Sequence, residues 1–247
     1  MRPVLSSALP GAVRDAAFES GEIHVWHADL ARLDEDEWHV SLPADDRARG
    51  RRFVQKRHRD RYLQGRHCLR TLLAAYTGVA PGELPLETGP HGKPTLPAGM
   101  RLGFNMSHSG DAAVFAFGRN PMLGIDIERT VPPQDVRGLA AQVFHPRELR
   151  AFAALPDAAL LRPFLTCWTR KEAALKAAGT GLTVEARTVE VGLDTQRRRI
   201  AHPALPEAID VATLFIDAQA IVSLAAGADG NGILRARHFR FSSEVSA

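Results

Sequence analysis

The chain has 247 residues, 45% of them hydrophobic and 24% charged, and a net charge of +3 from 31 basic and 28 acidic residues. That composition leaves room for one large domain or two of about 120 residues, and it excludes disordered, collagen-like and disulfide-stapled classes. No apolar run approaches the roughly 20 residues that cross a bilayer, and Pro3, Pro10 and Arg14 interrupt any signal-peptide core, so no membrane partner and a cytoplasmic location are expected.

In chain order, residues 22–28 alternate through Ile23 and Val25 and predict a strand. Residues 47–70 are dense in arginine and poor in acids. Tyr62, Leu69, Leu72, Leu73 and Tyr76 recur there at helical spacing, which predicts a helix with one apolar face, stopped by Gly78. Cys68 and Cys167 lie far apart without a partner motif and are expected to be inert buried thiols. A Gly- and Pro-rich loop spans 89–94. Residues 112–117 and 122–127 predict two strands, joined hairpin-fashion through Arg119-Asn120-Pro121. Helices follow at 146–155 and about 158–178, the second ended by Gly179 and Gly181, and then strands at 183–191, 209–216 and 220–225. Each half runs helix, Gly-marked turn, strands. That order suggests two similar α+β lobes, 1–121 and 122–247.

Three stretches carry chemistry. In Gly124-Ile125-Asp126-Ile127-Glu128 a strand would turn Asp126 and Glu128 to one face, starting about 6–7 Å apart and able to converge on one cation. A solvated acidic face explains the same pattern. Trp168, Glu172 and Lys176 are spaced four apart on the predicted second helix, so a carboxylate for a metal and a cation for a phosphate share a face; an ordinary Glu–Lys pair beside a core tryptophan is the alternative. Phe104-Asn105-Met106-Ser107-His108-Ser109 lacks a nucleophile elbow and is expected to be a polar or anion-binding turn. Gly92-Lys93-Pro94 is a turn without phosphate-loop spacing. The arginine-rich helix would suit a nucleic-acid backbone, yet acids elsewhere nearly cancel its charge and no known nucleic-acid-binding pattern accompanies it.

Taken together and in order, HGKPTLP, FNMSHS, GIDIE, FHPRE and WTRKEAALKAAGTGL resemble the signature of the 4′-phosphopantetheinyl transferases of the surfactin-synthetase-activating type, over about residues 53–182. The resemblance implies two similar α+β lobes in pseudo-twofold relation, with coenzyme A in the cleft between them. It implies a monomer that uses Mg²⁺, or Mn²⁺, to transfer the phosphopantetheine arm to a serine of an apo acyl or peptidyl carrier protein, releasing adenosine 3′,5′-bisphosphate. Residue by residue, it implies Asp126, Glu128 and Glu172 as metal ligands and Lys176 at the pyrophosphate. Arg57, His91, Gly92, Lys93, Pro94, Asn105, Met106, Ser107 and His108, with Asp126 and Lys176, would line the coenzyme A site. Glu172, Lys176 and Glu148 are the implied catalytic residues; Glu172, Glu148 or a metal-bound water would serve as base. Arg57 is implied for the 3′-phosphate, with Arg49 or Arg61 as alternates. Two other classes stay open: a metal-dependent phosphoesterase and a nucleic-acid-binding protein.

Overall fold

The structure, a computed structural model, describes residues 22–32, 41–89, 92–214, 219–228 and 235–241. Two four-stranded sheets organise them. The first orders β10 (Arg235–Phe241), β1 (Glu22–Asp29), β5 (Ala112–Gly118) and β4 (Gly103–Ser109). The second orders β6 (Leu123–Arg129), β9 (Ala220–Gly227), β8 (Ile209–Leu214) and β7 (Arg198–Ile200). A small hairpin joins β2 (Glu87–Thr88) to β3 (Pro94–Thr95). Among the described residues five α-helices accompany them: α1 (Ala44–Gly50), α2 (Lys56–Thr77), α3 (Val136–Val143), α4 (Pro146–Ala153) and α5 (Leu161–Ala178).

Strand alternation builds four layers. Ile23, Val25, Val114 and Ala116 of the first sheet pack against Ile125, Ile127, Val222 and Leu224 of the second, forming a dry seam between sheets. On the other face of the first sheet, Trp26, Phe115 and Phe117 meet Leu69, Leu72 and Leu73 of α2. On the far face of the second, Ile209, Ile221 and Ala225 meet Leu165, Ala173 and Ala177 of α5. Strands buried on both faces must be apolar throughout, which is why β5 reads AAVFAFG. Helices α2 and α5 end on left-handed glycines, Gly78 at φ 76° and Gly179 at φ 68°, where a Cβ would be strained. The fold is α+β with open sheets. Cys68 and Cys167 are buried free thiols. No described helix is long and apolar enough to cross a membrane.

Several predicted elements take other forms. Residues 112–117 and 122–127 are strands but not a hairpin, since β5 pairs with β1 and β4 while β6 pairs with β9. Between them Asn120 directs the crossing, donating to Gly227 O at 3.1 Å and accepting from Met122 N at 2.8 Å. Residues 183–191 are not a strand; they coil through short 3-10 turns at Gly181–Thr183 and Ala186–Thr188. The Lys171 ammonium takes the carbonyls of Ala186 and Val189 there, in place of a neighbouring strand. Residues 104–109 form a strand, not a turn. Finally, β10 comes back from the far end of the chain and lies parallel to β1, so the first sheet draws on sequence from both sides of residue 121.

Candidate active site

The site grows from the facing edges of the two sheets. In β6 the backbone bonds to β9 at even positions: Met122 O accepts from Gly227 N, and Gly124 and Asp126 follow in the same register opposite Ala225 and Ser223. The odd positions therefore turn their N–H and C=O groups outward, where a sheet would need another strand. Side chains cover that edge instead. Asn105 Oδ1 accepts from Ile125 N at 2.9 Å, Ser109 Oγ accepts from Arg129 N at 3.2 Å, and Lys93 Nζ donates to Leu123 O at 2.9 Å. Asn105, Ser107 and Ser109 alternate along β4, so all three reach across to β6 while Phe104 and Met106 pack toward α2.

The same alternation sends Asp126 and Glu128 to the α5 side of the second sheet. Helix and strand touch closely there, and a Cβ on Gly124 would lie 2.0 Å from Ala173 O, so only glycine fits. Lys176 Nζ donates to Asp126 Oδ1 at 2.6 Å and Ser107 Oγ donates to the same oxygen at 2.7 Å. Asp126 Oδ2 is buried and has no hydrogen-bond partner, although the Ile127 amide lies near the carboxyl. Ser109 donates to Glu128 Oε2 at 2.8 Å, and Trp168 also hydrogen-bonds Glu128.

Burial raises the carboxyl pKa of all three acids, and repulsion from neighbouring carboxylates adds to it at Glu128 and Glu172. Asp126 is raised chiefly by burial, which Lys176 and Ser107 offset only in part. Glu128 is raised by burial and by Asp126, and Glu172 by burial, then Asp126 and Glu128. As the side chains stand, no three carboxylates, imidazoles or thiols among the described residues converge tightly enough to enclose a metal ion. Even so, an orphaned buried oxygen and three mutually repelling hard donors suit a hard divalent cation such as Mg²⁺.

Ser107, which donates to Asp126, also lines a cleft of about 690 Å³ together with Arg49, Arg61, Arg66, Arg70 and His108. Asp46 neutralises two of those arginines, accepting from Arg66 at 2.8 Å and Arg70 at 2.6 Å. Asp111 accepts from Arg61 at 2.6 Å. Arg49 is exposed, lies over the Tyr62 ring at 5.8 Å, and has no acidic partner among the described residues. Desolvation, then Arg61 and Lys176, lowers the His108 pKa, which favours a neutral imidazole. Arg49 is thus the lining arginine open to an anionic group, while Asp45, Asp46 and Glu87 share the lining.

The structure thus brings together Asp126, Glu128, Glu172, Lys176, Asn105, Ser107, Met106 and His108, with Gly92 and Pro94 on the cleft wall. Other implied residues sit differently. Arg57 is exposed at the start of α2 and is not among the residues that line the cleft. His91 lies outside the described residues. Lys93 is on the cleft-lining hairpin, but its ammonium goes to backbone carbonyls. Glu148 is far from a free base: only 3% exposed, it takes hydrogen bonds from the amides of His145, Val191 and Gly192 and pairs with Lys171 at 2.7 Å. Sequence reasoning ranked Arg49 behind Arg57 and missed Arg66 and Asp46; the density of arginine over 47–70 was the available signal for Arg66, and nothing local marks Asp46.

Comparisons with known proteins give the family. Residues 122–223 match the family description "4'-phosphopantetheinyl transferase superfamily", and residues 32–119 match "4'-phosphopantetheinyl transferase, N-terminal". The 4'-phosphopantetheinyl transferase HetI of a Nostoc species is 36% identical over 179 residues, covering 70% of this chain and 75% of that protein. A 4'-phosphopantetheinyl transferase of Bacillus subtilis is 32% identical over 164 residues, covering 66% of this chain and 72% of its own. The B. subtilis transferase Sfp is 29% identical over 164 residues, covering 66% of this chain and 72% of its own.

Proposed function

The chain belongs to the 4′-phosphopantetheinyl transferase superfamily, and from that premise we propose that it moves the phosphopantetheine arm of coenzyme A onto a serine hydroxyl of an apo acyl or peptidyl carrier protein in a Mg²⁺-dependent reaction. The observation that carries this reading is the incompletely satisfied Asp126 carboxylate, whose donor Ser107 lines a cleft that also holds four arginines. Asp126, Glu128 and Glu172 would hold the cation, with Mn²⁺ an acceptable substitute. Bound there, Mg²⁺ supplies neutralisation of charge on the pyrophosphate oxygens.

The chain's own residues do the rest. Arg49, Arg61 and His108 bind the phosphate at the nucleotide end, while Lys176 sets a point charge beside the pyrophosphate. The serine oxygen attacks the phosphorus that bears the pantetheine arm. The bridging P–O bond breaks, and adenosine 3′,5′-bisphosphate leaves with those electrons. Glu172 takes the serine proton on the carboxylate oxygen that the cation leaves free. Glu148, with every oxygen engaged, braces the scaffold instead.

The test is intact mass of an apo carrier incubated with the protein, coenzyme A and Mg²⁺. One added phosphopantetheine is expected, absent from a carrier whose serine is alanine and absent when the metal is chelated. Unmodified carriers of every class, beside coenzyme A hydrolysed in their absence, would transfer the reading to a phosphoesterase.

A further inference from the structure

Lys93 follows Gly92 on the hairpin whose Thr88, Gly92 and Pro94 line the cleft, yet its side chain leaves the cleft. Its ammonium donates to Leu123 O at 2.9 Å and to Lys176 O at 2.8 Å. The first carbonyl belongs to the open edge of β6. The second lies in the last turn of α5, where a cation also complements the helix dipole and where Gly179 N donates at 3.3 Å. Both acceptors sit on the backbone of the elements that carry Asp126 and Lys176. No carboxylate faces the ammonium among the described residues, and burial lowers its pKa to about 8.

We propose that Lys93 is a positioning residue, a pin that joins the ligand-binding wall of the first sheet's lobe to the backbone bearing Asp126 and Lys176, and not a group that binds coenzyme A. This rests on the transferase reading above. An ammonium has three donors and no acceptor, so two carbonyls on different elements are well suited to fix it. Without it, Leu123 O at the buried strand edge loses its partner, and β6 and α5 can shift against the hairpin. A misplacement on that scale acts on the rate more than on the binding of coenzyme A.

The experiment compares Lys93→Met and Lys93→Arg, with turnover counted per folded molecule. Lys93→Met is expected to lower kcat by about tenfold or more with KM for coenzyme A changed less than about threefold. Lys93→Arg keeps donors for both carbonyls and is expected to regain most of the rate. A raised KM with intact kcat would mean a ligand role, and lowered stability with intact kcat a merely structural one; either overturns the proposal. Should Lys93→Met not fold, amine acylation of the wild-type chain without coenzyme A decides. Although its low pKa would speed acylation of an open amine, Lys93 should react about tenfold more slowly than Lys56, whose side chain is 65% exposed; a rate equal to or above that of Lys56 would overturn the pin. A wild-type chain that transfers nothing to any carrier removes the transferase reading alone, because the acylation rates still report where the ammonium sits.

Discussion

Helix α5 holds two lysine–carboxylate pairs little more than a turn apart, and they differ in how completely they are satisfied. Lys171 is fully buried and donates to Glu148, Ala186 O and Val189 O, so each of its three protons has an acceptor. Burial alone would raise the Glu148 pKa; the Lys171 charge and the surrounding amides outweigh it and hold the carboxyl below its ordinary value. Lys176 is partly exposed, and its partner Asp126 keeps one buried oxygen without a bond and a raised pKa. A closed polar cluster fixes structure, whereas an open one retains capacity for a ligand.

The largest effect that tests this contrast is on stability. Glu148→Ala leaves the Lys171 ammonium buried and unpaired, and should cost about 3–5 kcal/mol in urea denaturation. A loss near zero would make the closed pair dispensable. The pH dependence sharpens the difference. A depressed Glu148 pKa contributes stability that is present above its unfolded value of 4.5 and lost as pH falls through the folded value. The raised Glu172 pKa has the opposite sign, because its charged form disfavours the fold until the pH drops toward that raised value. Glu172→Gln should therefore hold or increase metal-free stability at pH 7 to 8, and flatten the gain on acidification. Smaller still is the effect at the cleft's far end. Arg49→Ala should raise KM for coenzyme A about tenfold, from losing a charged hydrogen bond of about 1.5–3 kcal/mol, with kcat nearly intact. Arg57→Ala, outside the cleft lining, should change it less.

Much of this was legible in the sequence, where a local pattern carried it. Glycine, alternating isoleucines and two acids in GIDIE specify a strand with one acidic face, and the four-residue spacing of Trp168, Glu172 and Lys176 places them along α5. FNMSHS also alternates, but its polar half reads as a turn because nothing local says that Asn105, Ser107 and Ser109 reach across to another sheet. Strand β10, RARHFRF, hides its pairing in the same way: its partner β1 lies at the other end of the chain. Glu148 could be placed in a motif but not given a role, since its partners at 171, 191 and 192 are brought to it only by tertiary packing.

The measurement that bears most directly on the contrast is carrier modification per folded molecule by Asp126→Asn and Glu148→Gln, two changes that preserve side-chain shape. Asp126→Asn should fall by about 10²-fold or more, while Glu148→Gln should turn over near the wild-type rate once its unfolded fraction is removed. Equal losses in the two, or normal turnover by Asp126→Asn, would contradict the assignment of chemistry to the open pair and scaffolding to the closed one.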